Sequence, residues 1–239
     1  MHIPKIVHAT WKSREVINYE SVFYKNCLGS IATLSPDWDI QISDDADVET
    51  YLKDNLDKTD YDLLSTKHII EKIDVWRLIK IYREGGLYVD MDRLCNTPLN
   101  SIVKENTRLV LPTCADHDFS HDFMMSAPGN PIFSETLYLN LKRRYEGIDS
   151  IYFLGPQTYM HGIIKAMFGT EIDINSKDYN LNDIREMLKE VDFIETYREV
   201  PPMHTIIYRP ESKQIDFDHE TEKRNFYKQS NTNHWTNIW

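Results

Sequence analysis

Residues 73–92 read IDVWRLIKIYREGGLYVDMD, and the change of period inside this stretch decides the fold. Ile73, Trp76, Ile79, Ile81 and Tyr82 recur at helical spacing, while Asp74 and Arg77, three apart, share one edge of the helix. The pair Gly85–Gly86 then supplies a helix stop, because glycine takes the left-handed conformation that satisfies the last carbonyls. Leu87, Tyr88 and Val89 form a short apolar run suited to a buried strand, which ends in Asp90-Met91-Asp92. Side chains alternate along a strand, so Asp90 and Asp92 are expected to point the same way, where two carboxylates suit a divalent cation with oxygen ligands. An isolated Asp-x-Asp is most often a solvated turn. The Asp-x-x-Arg upstream and the glycine stop favour instead a charged site built jointly by helix and strand.

Working outward, short apolar runs at 5–8, 39–42, 87–90, 108–111, 123–126 and 205–208 read as strands. Helical periodicity covers 19–34, 47–56, 67–83, 131–145, 156–168 and 183–190. The alternation predicts an α/β fold: a Rossmann-like, mainly parallel sheet flanked by helices, in a single domain spanning 1–239. In such a sheet ligands gather outside the carboxyl ends of the strands at a switch in strand order. Trp11 and Asp90 both fall there.

Composition limits the function classes. The net charge of -11, from 27 basic and 38 acidic residues, argues against a general duplex nucleic-acid binder, which needs a basic surface to replace phosphate counterions. Cys27, Cys95 and Cys114 are widely spaced with no C-x-x-C pair, so neither a disulfide framework nor a zinc ribbon is indicated. The opening MHIPKIVHATWK holds no signal-peptide core, and no stretch approaches the roughly 20 apolar residues of a membrane span. A cytoplasmic location is expected, with peripheral attachment to a membrane left open. Oligomeric state is not indicated.

The segment 74–94 resembles the DXD sugar-binding region of glycosyltransferase family 32, related to the catalytic domain of the clostridial glucosylating toxins. The shared register is Asp74, Arg77, Gly85, Gly86, Tyr88, Asp90, Asp92 and Leu94. Other blocks agree: IPKIVHATWK at 3–12 is similar to the family's opening strand, Pro36-x-Trp38 to the entry of its second strand, and FLGPQT at 153–158 to its Gly-Pro block. The ending HWTNIW at 234–239 resembles the family's HW-x-x-S-W, except that Ile238 stands where serine is usual. The resemblance implies a GT-A type fold, with 1–115 as the nucleotide-sugar half, 116–230 as the acceptor half, and 231–239 as a loop closing on the donor.

The same resemblance implies a metal-dependent, retaining transfer of a sugar from a nucleoside diphosphate sugar to a glycan or lipid-linked glycan. Uridine diphosphate donors are favoured over guanosine ones. Mn²⁺ or Mg²⁺ would be held by Asp92 and Asp90, with His234 and Asn237 as further metal-side ligands. Ala9, Trp11, Asp74, Arg77, Tyr88, Asp90 and Trp239 are the implied donor-binding residues, Trp11 beside the base and Trp239 as a lid. Asp74, Arg77, Asp90 and Asp92 are the implied catalytic set. Two other readings stay open: a metal-dependent phosphohydrolase acting on nucleotide sugars, and a sugar-nucleotide-binding module without turnover. The acidic run DHDFSHD at 116–122 reads as a solvated loop between strands, with a second metal or an acceptor-facing role as alternatives. Arg143 and Arg144 read as a solvated helix end.

Overall fold

In the computed structural model, β1 (Ile6–Thr10) leads through a 3₁₀ turn (Arg14–Asn18) to helix α1 (Leu28–Leu34) and β2 (Asp39–Ser43). Helices α2 (Asp45–Asn55), α3 (Lys58–Ser65) and α4 (Ile69–Glu84) follow, then β3 (Gly86–Val89), β4 (Leu94–Cys95), β5 (Leu109–Cys114), β6 (Asp118–Phe119) and β7 (Phe123–Ser126). The chain continues through α5 (Pro131–Tyr145), α6 (Ile151–Leu154), α7 (Pro156–Phe168), β8 (Ile194–Arg198), β9 (Thr205–Ile206) and α8 (His219–Gln229). The structure describes residues 2–18, 26–95, 97–114, 118–119, 121–173, 183–184, 194–198, 205–206 and 219–229. Only the start of the helix expected at 183–190 falls within them, and the expected closing loop at 231–239 lies outside. No helix among the described residues is long and apolar enough to cross a membrane.

Seven strands form one sheet in the order β2-β1-β3-β7-β5-β6, with β8 alongside β5, while β4 and β9 pair separately. β2, β1 and β3 are parallel; β7 runs against both β3 and β5, and β6 against β5. β8 is parallel to β5, so among the described strands of this sheet β7 and β6 run against the common direction. The expected mostly parallel sheet is therefore present, with an antiparallel insertion next to its central strand. Alternation along the strands builds two cores. Leu87, Val89, Phe123 and Met125 face Leu28, Ile31 and Phe226, whereas Tyr88 and Met124 face Val75, Trp76, Phe133 and Tyr159. Helices thus cover both faces.

The junction of α4 and β3 positions everything that follows. Gly85 has φ 69° and Gly86 φ 90°, a region that side-chain-bearing residues avoid. Sterics demand glycine as well: a Cβ on Gly85 would stand 2.7 Å from Pro128 Cδ, and one on Gly86 2.5 Å from the Ile6 carbonyl oxygen. His8 fixes the corner to β1 by donating its Nε2 hydrogen to the Gly85 carbonyl, 3.0 Å away. Helix α4 is buried nearly all round, Glu71, Asp74, Val75, Trp76, Arg77 and Leu78 included, because the sheet covers one side and other helices the rest. Tyr82, expected in the apolar stripe, is 38% exposed.

Candidate active site

Asp74 and Arg77 leave the buried side of α4 at the carboxyl end of β3. The guanidinium Nη2 is 2.6 Å from Asp74 Oδ1, with side chains only 7% and 6% exposed, so this is an enclosed pair and not a surface one. Arg77 Nη1 also donates to the His121 carbonyl at 3.1 Å and lies 3.6 Å from Asp90 Oδ1. Its guanidinium sits over the Tyr88 ring, 4.6 Å from the centroid. Tyr88 in turn donates its hydroxyl to Asp90 Oδ1 at 2.5 Å. Burial works against the charge on Arg77, yet the facing Tyr88, Asp74 and Asp90 raise its pKa above the ordinary value. Burial raises the pKa of Asp74, and the neighbouring guanidinium offsets this only in part.

The strand ends at Val89, one residue before the first aspartate. Asp90 to Arg93 instead form a turn closed by the Arg93 amide donating to the Asp90 carbonyl at 3.1 Å. The expectation that period two aims both carboxylates alike is therefore corrected. Asp90 turns to Tyr88 and Arg77, whereas Asp92 pairs with Lys223 of α8, Nζ to Oδ2 2.6 Å. Both acids stay at one strand tip because the turn is so short. Among the described residues no group of three His, Cys, Asp or Glu side chains is placed to share a metal. His234, Asn237 and Trp239, expected at the donor, lie outside the described residues. The carboxylates of Asp90 and Asp92 offer the oxygen ligands that Mg²⁺ commonly takes, and the ammonium on Asp92 stands where a cation would.

The other expected residues divide. Trp11 stands just past β1 and packs against Phe226 and Tyr227, ring centroids 4.8 and 5.8 Å apart, with its indole nitrogen buried and unpartnered. The side chain of Ala9 lies wholly inside the core, beneath the sheet surface.

Several site residues were missed. The run 116–122 was expected to be solvated, but its end turns inward: His121 Nε2 is 4.0 Å from Asp74 Oδ1, and Asp122 pairs with the buried Arg93. Burial, then Arg77 and Arg93, push the His121 pKa well below its usual value, so the ring is neutral at pH 7. Gly155, from the FLGP block, closes over the same group; a Cβ there would lie 3.3 Å from Asp74 Oδ2 and 3.4 Å from His121 Nε2. Arg143 and Arg144 are also not solvated. Arg144 is 2.6 Å from Glu71 of α4 and donates to Asn140, while Arg143 donates to Thr158 at 2.6 Å. The two arginines tie α5 to the helices behind the site, since a guanidinium reaches several acceptors at once.

Residues 13–109, which include this helix, corner and turn, match the family described as the glycosyltransferase sugar-binding region containing DXD motif. Over that stretch the chain is similar to the family. Among relatives of this DXD region, inositol phosphoceramide mannosyltransferase 1 of Schizosaccharomyces pombe (strain 972 / ATCC 24843) is 23% identical over 139 residues, covering 57% of this chain and 42% of the relative. Inositol phosphoceramide mannosyltransferase 3 of the same organism is 32% identical over 106 residues, 42% of this chain and 27% of its own. The chain thus spans less than half the length of the curated relatives it matches. Among solved structures, one named PaToxG Glycosyltransferase superposes with a TM-score of 0.52 at 18% identity, covering 70% of each chain. That likeness is one of fold, and it agrees with the GT-A type architecture expected for the DXD family.

Proposed function

We propose that the chain is a metal-dependent glycosyltransferase that moves a hexose from a nucleoside diphosphate sugar to a glycan or lipid-linked glycan, with retention at the anomeric carbon. The observation that carries this reading is the enclosed cluster of Asp74, Arg77, Tyr88 and Asp90 beside Asp92 at the tip of β3, inside the matched region. In the reaction the bond from the anomeric carbon to the phosphate oxygen breaks, the acceptor oxygen takes its place, and the acceptor proton passes to the departing phosphate.

Each residue has a part set by its chemistry. Arg77 stays charged at any working pH, and its fork, fixed by three neighbours, presents positive charge to sugar and phosphate oxygens. Asp74, held by Arg77, accepts from sugar hydroxyls. The neutral His121 and the close approach of Gly155 bound the space beside Asp74 in which a sugar ring would sit. Trp11 offers a face to the base, a contact worth on the order of 1 to 3 kcal/mol in comparable stacking. A divalent ion held by Asp92, with Asp90 beside it, would supply positive charge to the departing diphosphate.

The names of the relatives favour a mannosyl donor and a lipid-linked acceptor, whereas the sequence reading favours a uridine diphosphate donor; the two are decided together. Purified protein is incubated with UDP-glucose, UDP-galactose or GDP-mannose, Mn²⁺, and an acceptor panel that includes inositol phosphoceramide, with products read by mass spectrometry. Acceptor-dependent transfer that falls roughly 100- to 1,000-fold in Asp92→Asn is expected, by analogy with loss of one transition-state contact. Sugar release indifferent to every acceptor would replace the transferase by a phosphohydrolase. Donor binding without turnover would replace it by a binding module.

A further inference from the structure

Helix α8 carries a residue that the DXD motif itself does not contain. Lys223, Phe226 and Tyr227 stand at i, i+3 and i+4 and so share one face of the helix. Phe226, 1% exposed, is rooted in the same core as Val7, Ala9 and Val89, and its ring meets Trp11. With that anchor one turn away, the stem of Lys223 is aimed at the Asp90–Arg93 turn, and its ammonium reaches Asp92 Oδ2 at 2.6 Å. The pair is well enclosed, 13% and 18% exposed, unlike the helical pair Lys58–Asp62 at 86% and 55%.

An ammonium this close occupies the side of Asp92 that a divalent ion, at about 2.0–2.6 Å from its oxygens, would need. Two cations on one carboxylate oxygen repel, so an ion that takes Oδ2 displaces the ammonium. The displaced group does not travel far, since Phe226 holds its helix against Trp11. It is left next to the tip of β3, where the diphosphate of a donor would carry concentrated negative charge. Resting on the metal-site reading given above, we propose that Lys223 is a diphosphate-binding residue of the donor site that occupies the cation position on Asp92 until ion and nucleotide arrive together. The ion alone then binds weakly, because it must break the Lys223–Asp92 pair. With nucleoside diphosphate present, the freed ammonium gains phosphate oxygens, so ion and nucleotide each strengthen the other's binding, as linkage requires.

The test is calorimetric titration of the full chain with Mn²⁺ alone, then with UDP and GDP at saturating Mn²⁺, for wild type, Lys223→Met, Lys223→Arg and Asp92→Asn. Lys223→Met keeps the apolar stem, and a thermal melt establishes that it folds. Expected in Lys223→Met are Mn²⁺ binding tightened roughly tenfold and nucleoside diphosphate binding weakened roughly tenfold, the scale of one partly enclosed charge contact. Lys223→Arg, which keeps the charge, stays within about threefold of wild type in both. Unchanged or weaker Mn²⁺ binding in Lys223→Met, with wild-type binding intact and lost in Asp92→Asn, overturns the inference alone. Mn²⁺ binding that survives Asp92→Asn, or is absent from both wild type and Lys223→Met, overturns the metal-site reading and the inference with it.

Discussion

Replacing Arg77 by methionine removes the cation from a carboxylate that has nowhere else to turn. Asp74 is 6% exposed and its Oδ1 is 2.6 Å from the guanidinium, so the substitution leaves a buried carboxylate without its counter-ion. Breaking a buried pair from one side costs about 3 to 5 kcal/mol, whereas an i, i+3 pair on a helix surface contributes about 0.2 to 0.5 kcal/mol. In a chain of 239 residues each kcal/mol moves Tm by roughly 2 to 4 °C, so a fall of about 6 to 20 °C is expected, against under about 2 °C for a surface pair. The sign of the pH dependence follows from Asp74, whose pKa already lies above its unfolded value of about 3.8. Without Arg77 it rises further. The folded state then holds a proton that the unfolded chain has released, and stability is lost as pH rises through that window. The deficit of Arg77→Met is therefore smaller at pH 5 than at pH 8. Adding Asp74→Asn removes the stranded charge and recovers at least half of the loss at pH 8. Urea unfolding followed by circular dichroism, at both pH values and for all four proteins of the cycle, measures each quantity. A loss below about 1 kcal/mol at pH 8, or one that Asp74→Asn does not relieve, would refute the enclosed-pair argument.

Protons bind the unfolded chain more readily than the native one at His121, whose folded pKa is pushed below about 6.5, so stability should fall as pH drops below that value by up to about 1.4 kcal/mol per unit. His8 is shifted the same way, so His121→Asn should reduce the slope of urea midpoint against pH between 6.5 and 5 without abolishing it; an unchanged slope would mean that His121 is protonated in the fold. Gly86→Ala combines φ 90° with a methyl 2.5 Å from the Ile6 carbonyl, whereas Gly129→Ala has φ 77° and open space. The first should lower stability by at least about 2 kcal/mol more than the second in thermal melts, and equal losses would show that the β1 contact gives way.

How much of this was legible in the sequence depends on where each element's information lies. The bounds of α5 and α7 were readable because proline opens both, and Asn130 caps the first by accepting from the Ile132 amide at 3.1 Å. The corner at Gly85–Gly86 was readable because its geometry admits only glycine. The α8 helix was not: HETEKRNFYKQ shows one apolar pair in eleven residues, too little for a periodic stripe, and its burial comes from Trp11, far away in the chain. For the same reason the Lys223–Asp92 pair left no local trace. Arg143 and Arg144 look like any basic helix end, and only the fold supplies Glu71 and Thr158 to bury them against. Alternation along β3 mispredicted the aspartates because the strand ends at Val89 and the chain turns there, the Arg93 amide closing on the Asp90 carbonyl, which side-chain pattern does not encode.

Asp74 and Arg77 depart from one side of the Gly85–Gly86 corner, Asp90 and Asp92 from the other, and that corner is wedged against Pro4, Pro128 and Ile6 with no slack for a single methyl group. The acid-and-arginine frame thus behaves as an inflexible cassette. Under the proposed transfer, sugar preference is better retuned by leaving 73–92 untouched and varying the pieces packed against it, at His121, Asp122 and Gly155.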